Sequence, residues 1–169
     1  MDKCSNGELP IGKGDKLSID QCPKNELENE GMKDKPYASL VGSLMCAQVY
    51  TRSDLAFAVS VLGRFQSNPG ASYWVAAKKV LRYLKRTRDF MLTYSHVDKL
   101  ELVGFMDSDL AGCVDNRKST HGYIFLLANG AVLWKSAKQM GITSSTMEAK
   151  FIGCYAATQQ ANWLRNMMK

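Results

Sequence analysis

Two carboxylates, Asp107 and Asp109, close the apolar run of "LVGFMDSDLAG", and a third, Glu148, stands near the start of a helical stretch in "SSTMEAKF". An ionised side chain at the end of an apolar strand is avoided unless it meets water, a partner or a metal. Asp109 shares the face of Asp107 if the strand runs on. Carboxylates at a strand end, joined by another from a neighbouring helix, could hold Mg²⁺, a hard cation that selects oxygen ligands. The spacing serves equally well as a turn in which "DSD" caps the backbone through its side chains. A second chemistry lies in "AAKKVLRYLKRTRD". Lys78, Lys79, Arg82, Lys85, Arg86 and Arg88 occur there with no acid before Asp89, so no local partner neutralises them. This is a candidate nucleic-acid surface, and its contacts would go to phosphates. Lys150, two residues after Glu148, is a cation where the segment otherwise presents a carboxylate.

The elements that must position these residues follow from pattern. From Pro36, "YASLVGSLMCAQVY" spaces Leu40, Leu44 and Ala47 along one helical face. Ser53 or Thr51 caps "DLAFAVSVLGRFQ", where Leu55, Val59, Leu62 and Phe65 or Gln66 keep the 3.6 period, and "NPG" ends it. A third helix, "ASYWVAAKKVLRYLKRTRD", is expected to bury Trp74, Ala77, Leu81 and Leu84 and to turn its cations outward. After residue 90 the texture becomes that of strands. "FMLTYS", "LELVGFMDSD", "THGYIFLLAN" and "AVLWKSAK" are the candidates, with Asn129-Gly130 predicting a type I′ hairpin between the last two. The segment from Ser144 or Ser145 to Lys169 reads as one long helix.

The fold class is therefore mixed α/β: helices first, then a three-stranded antiparallel sheet with one helix. The expected divisions are an extended lead-in over 1–35, a helical segment over 36–95 and a sheet-and-helix domain over 96–169. Within the lead-in, "GKGDK" is a lone G-x-G with no strand before it, a weak candidate for a phosphate cradle.

Composition narrows the class. Of the 169 residues, 46% are hydrophobic and 22% charged, enough for a sizeable core. No long apolar run and no apolar leader block occur, so the expectation is an intracellular protein, cytoplasmic or nuclear, without a membrane partner. The five cysteines form no C-x-x-C pair, which argues for reduced thiols over a zinc site or disulfide framework. A net charge of +6 favours a polyanionic partner. His96 and His121 are too isolated to propose as catalytic, and the methionines read as packing and helix-surface residues.

Several consecutive stretches carry a more specific signal. "KPYASLVGSLMCAQVYTRSDLAFAVSVLGRFQSNPG", "AAKKVLRYLKRTRDFMLTY", "GFMDSDLAGCVDNRKSTHGYIFLL", "GAVLWKSAKQ" and "SSTMEAKF" resemble, in order and spacing, the Pol polyprotein of copia-type LTR retrotransposons. The resemblance covers nearly the whole chain. It implies that residues up to about 95 close the reverse transcriptase region and its connection, and that the rest is the first half of an RNase H domain. Such a domain cuts the RNA of an RNA–DNA hybrid with two Mg²⁺ ions held by carboxylates. The family's first aspartate corresponds to Asp107. Its helix acid lies in a pattern that usually reads E-A-E-Y and here reads Glu148-Ala149-Lys150-Phe151.

Position 150 shares a helical face with Gly153, Cys154 and Ala157, small residues that let a helix lie close to a sheet. Glu148 shares its own with Phe151, Ile152 and Tyr155. The first face is favoured as the buried one, so Lys150 replaces the family glutamate and the site is expected to be inactive. Other departures agree. Leu110 stands for the usual tryptophan after D-x-D, "TRSDL" lacks the usual proline, and no D-N strand follows the last helix. The set carried forward is Asp107 and Glu148 as catalytic, with Asp109 as a further Mg²⁺ ligand. A sheet edge left uncovered would favour self-association.

Overall fold

In a computed structural model of the chain, residues 9–12 and 15–169 are described. Two compact units divide it, the first ending at Met91 and the second running from Leu92 to Lys169. The boundary falls four residues before the expected one at 95/96.

The first unit is helical: α1 (Glu26–Lys33), α2 (Tyr37–Tyr50), α3 (Ala56–Gly63) and α4 (Ala71–Arg86). Its core joins Val41 and Leu44 of α2, Leu55, Val59 and Leu62 at α3, and Tyr73, Ala77 and Val80 of α4. Burying a tyrosine requires a partner for its hydroxyl. Tyr37 Oη donates to the Leu62 carbonyl at 2.9 Å and Tyr73 Oη to that of Ser18 at 2.9 Å. Tyr73 also decides how α4 rotates. The buried face is Tyr73, Ala76, Ala77 and Val80, whereas Trp74, Leu81 and Leu84 are only partly buried. The expected face was centred on the largest side chains; the alanines win because they admit close approach of the neighbouring helices.

The lead-in expected to be extended is folded over its described part. Ile19–Gln21 forms a 3-10 turn, α1 follows, and both pack on α4, with Ser18, Cys22 and Met32 buried. Gly70 permits this, since a Cβ there would come within 1.8 Å of the Gln21 carbonyl oxygen. The "GKGDK" cradle falls partly outside the described residues, at positions 13 and 14. α3 is shorter than expected: Ser53–Leu55 forms a 3-10 turn without a side-chain cap, and the helix stops at Gly63.

The second unit is an antiparallel sheet, β1 (Val103–Ser108), β2 (Thr120–Leu127) and β3 (Gly130–Lys138), in the order β1-β2-β3, with α5 (Thr146–Met167) packed on β1 and β2. β1 is thus an edge strand, not a central one. The candidate strand 90–95 is not a strand; Ser95 N donates to the Ala128 carbonyl at 2.8 Å, and Tyr94 Oη reaches that of Ala131 at 3.1 Å. The hairpin forms one residue earlier than expected. Ala128 and Asn129, with φ of 50° and 63°, are the two central residues of a type I′ geometry, and Leu127 pairs with Gly130. Gly130 serves close approach instead: a Cβ there would lie 2.4 Å from the Tyr94 ring and 2.7 Å from the Thr93 carbonyl oxygen.

α5 is seated by small residues. Ala149, Gly153 and Leu164 are buried, and Ala157 and Ala161 pack beside the core of Tyr123, Phe125 and Leu164. The position of a Cβ on Gly153 would be 2.9 Å from Met106 Sδ. The opposite side stays open, with Phe151 73% and Tyr155 62% exposed. Of the face expected to be buried, Gly153 and Ala157 are packed, but Lys150 and Cys154 are exposed, because the helix is rotated to seat Ala149 and Leu164 on the sheet instead. Among the described residues, five helices and a three-stranded antiparallel sheet make a mixed α/β architecture, consistent with part of an RNase H-like fold. Among the described residues, no helix is long and apolar enough to cross a membrane.

Candidate functional site

The strand, the turn after it and the first turn of α5 hold the three carboxylates, and each finds a local use. On β1, Met106 and Ser108 lie against Gly153 of α5. Successive strand residues point to opposite faces, so Asp107 between them is directed to the face away from α5. It is exposed, and its carboxylate accepts the Ser108 N–H at 2.8 Å. Asp109, past the strand end, accepts the Thr120 N–H at 2.5 Å, while its own N–H donates to the Thr120 carbonyl at 3.0 Å. Gly112 leaves the room it needs: a Cβ there would sit 1.9 Å from Asp109 Oδ2. For Asp109, the structure has the turn built through its side chain.

Glu148 closes a capping arrangement. Ser145 Oγ accepts the Glu148 N–H at 3.2 Å, and Glu148 Oε2 accepts from the Ser144 N–H at 2.7 Å and from its hydroxyl at 2.8 Å. The Ser144 N–H first, and then its hydroxyl, hold this carboxyl below the usual glutamate range. Lys150 is exposed, next to the packed stripe of Ala149 and Gly153. Asp107, Asp109 and Glu148 are therefore not brought together. Among the described residues, no three His, Cys, Asp or Glu side chains are grouped so as to hold a metal ion. A pair of Mg²⁺ ions needs converging carboxylates with free lone pairs, and this donor set does not fit them.

What lies between the candidate acids is polar, buried and absent from the sequence reading. Gln139, 3% exposed, donates to Ser108 Oγ at 3.2 Å and to the Ala149 carbonyl at 2.8 Å, tying the end of β3 to β1 and α5. Ser119 and Thr143 share a buried hydrogen bond of 2.7 Å. The signal was present in "WKSAKQ", where a polar residue closes a strand pattern, but nothing local reveals a partner 31 residues away. His121 faces α5 beside Gly153, with a buried Nδ1 lacking a partner. Burial first, then the charge of Lys135, lowers its pKa below the usual imidazole value.

The basic set is divided by the fold. Lys79 is ion-paired with Asp15 of the lead-in, and Arg88 lies 3.5 Å from Asp89. Lys78 stands over the Trp74 ring at 5.9 Å, and Arg82 Nε donates to the Lys78 carbonyl at 3.4 Å. Lys85 and Arg86 occupy the last turn of α4, where the helix dipole favours cations. A second network went unread in the sequence. Arg52 grips Asp54 through two nitrogens at 2.7 and 3.0 Å and reaches Thr87 Oγ1 at 2.6 Å, while Tyr83 Oη donates to Asp54 at 2.7 Å. Burial pushes the Asp54 carboxyl up, but the hydrogen bonds from Arg52 and Tyr83 outweigh it and leave the pKa low. This clamp gives the charged residues of "TRSDL" a structural purpose, fixing the C-terminal end of α4.

Comparison with known proteins adds the family. The chain is 42% identical over 154 residues to the retrovirus-related Pol polyprotein from transposon TNT 1-94 of Nicotiana tabacum, covering 91% of this chain and 12% of that one. It is 34% identical over 132 residues to the corresponding polyprotein of transposon RE2 of Arabidopsis thaliana, covering 78% of this chain and 9% of the other. The chain belongs to the Pol polyproteins of copia-type retrotransposons. A shorter relative, secreted RxLR effector protein 161 of Plasmopara viticola, is 45% identical over 133 residues, with 79% of this chain and 94% of that one aligned. The copia-type segment thus spans a small fraction of the plant polyproteins and nearly all of the effector. No family model and no solved structure matches the chain.

Proposed function

We propose that this copia-type Pol segment carries an RNase H-like unit, by ancestry an endonuclease on RNA–DNA hybrids, that does not itself cut them. The observation that carries the reading is the dispersal of the acids. Asp107 is directed away from α5, Glu148 is held by Ser144 in the cap of the helix, and Lys150 is a cation where the family pattern has its acid. A protonated lysine cannot coordinate Mg²⁺ and repels it. Two-metal hydrolysis needs one ion to activate water and the other to stabilise the leaving oxygen, and a lone exposed aspartate supplies neither arrangement.

The test is Mg²⁺-dependent cleavage of an end-labelled RNA–DNA hybrid by the full chain, with Asp107→Ala as control. The expected result is no cleavage above background by either protein. Cleavage by the unaltered chain that disappears in Asp107→Ala would overturn the proposal.

A further inference from the structure

Two rows of like charge lie on the helical unit, and neither is answered within it. On α1 and its C-cap, Glu26, Glu30 and Asp34 follow at i, i+4 and i+8 along the side opposite the buried Met32, and all three are exposed. On α4, Lys78, Arg82 and Arg86 keep the same interval opposite the buried stripe of Tyr73, Ala76, Ala77 and Val80. At 1.5 Å of rise per residue, each row spaces its charges about 6 Å apart. None of the ion pairs among the described residues involves any of the six. Although α1 and α4 touch, each turns its apolar side inward, and the rows do not pair within one copy.

The rows fit each other. Three carboxylates and three cations at one interval are complementary charge for charge, whereas an exposed ion pair standing alone is worth little. An apolar side chain borders each row as well: Leu27, 81% exposed, on α1 and Val75, 46% exposed, on α4. Joining the rows would take both out of water. We infer that the acidic side of α1 in one copy of this chain docks on the basic side of α4 in another, with Glu30 on Arg82 at the centre. The middle charges meet whichever way the two helices run, because both rows are evenly spaced. This stands on the helical unit alone, independent of the reading of the RNase H-like unit.

The experiment is sedimentation equilibrium of the full chain, nuclease-treated, over a range reaching about 500 μM at about 0.1 M salt, where screening still leaves contact pairs effective. The expected result is a mass that rises with concentration. Glu30→Arg and Arg82→Glu are each expected to weaken self-association about ten-fold, and the double variant to return to within about three-fold of the unaltered chain. The first raises the net charge of +6 by two and the second lowers it by two. Opposite effects of the two variants would reduce the association to net charge and overturn the proposal; so would a double variant as weak as either single one. A monomer at every concentration would overturn it, as would a mass rise that nuclease abolishes. Association unaffected by all three variants, as pairing through the open edge of β1 would be, also counts against it. Lys78→Glu, at an exposed position, is expected to weaken association as Arg82→Glu does, so that a folding defect at half-buried Arg82 does not hide the result.

Discussion

The helical unit and the sheet unit are held together by different means. In the first, leucines and tyrosines from α2, α3 and α4 close a continuous apolar core in which Leu44, Leu55, Leu62 and Tyr73 are almost fully buried. In the second, the apolar cluster is confined to Tyr123, Phe125 and Leu164 with a few partly buried neighbours, and the remaining contact between sheet and helix is polar, through Gln139, Ser108 and the Ala149 backbone. Phe105, Phe151 and Tyr155 meanwhile stay exposed. A unit built on apolar burial tolerates the loss of surface groups and suffers from cavities. One built on close approach and a few buried hydrogen bonds should respond to single atoms at its contacts.

The largest effect expected is in the helical core. Leu62→Ala should destabilise that unit by about 3 kcal/mol through lost burial and a residual cavity, read as faster hydrogen exchange in peptides of α2 to α4. Equal acceleration in β1 to β3 would break the distinction between the units. Next, Gly130→Ala should cost about 2 kcal/mol, since its Cβ would meet the Tyr94 ring and the Thr93 backbone. Urea unfolding followed in the sheet checks it, and a neutral result would mean that residues 93 and 94 shift freely.

Ser145→Ala should remove the cap of α5 at a cost of about 1 kcal/mol, visible as exchange in its first turn. The smallest effect is one of pH. The Asp54 carboxyl has a depressed pKa in the folded state, so its contribution is complete above the unfolded value of about 3.9 and fades as pH falls through the folded one. Asp54 is partly exposed, and screening keeps the contribution below about 1 kcal/mol. Acid titration of stability should therefore be shallower in Asp54→Asn. Identical acid profiles would show that the Arg52 clamp adds nothing.

How much of this was legible in the chain differs by element. The rows of Leu55, Val59 and Leu62 and the strands around Asp107 and Tyr123 are local patterns, readable because side chains repeat with the period of their own backbone. The hairpin was readable to within one residue. Asn129 supplied the turn, but Gly130 is a glycine because of Tyr94, 36 positions earlier in the chain. The rotation of α4 was missed because Tyr73 is buried by a carbonyl 55 residues away.

The candidate site divides along the same line. Sequence alone determined the family, the mixed α/β class, the identity of Lys150 and the cluster of cations between 78 and 88, because composition, spacing and local period do not depend on what the chain meets later. Tertiary structure decided that Asp107 points away from α5, that Glu148 is occupied by Ser144, that Gln139 is the buried link and that Lys79 is paired with Asp15. The last of these spans 64 residues. Which face a carboxylate takes, and which cation is already neutralised, are set by long-range neighbours, and those exist only once the chain has folded.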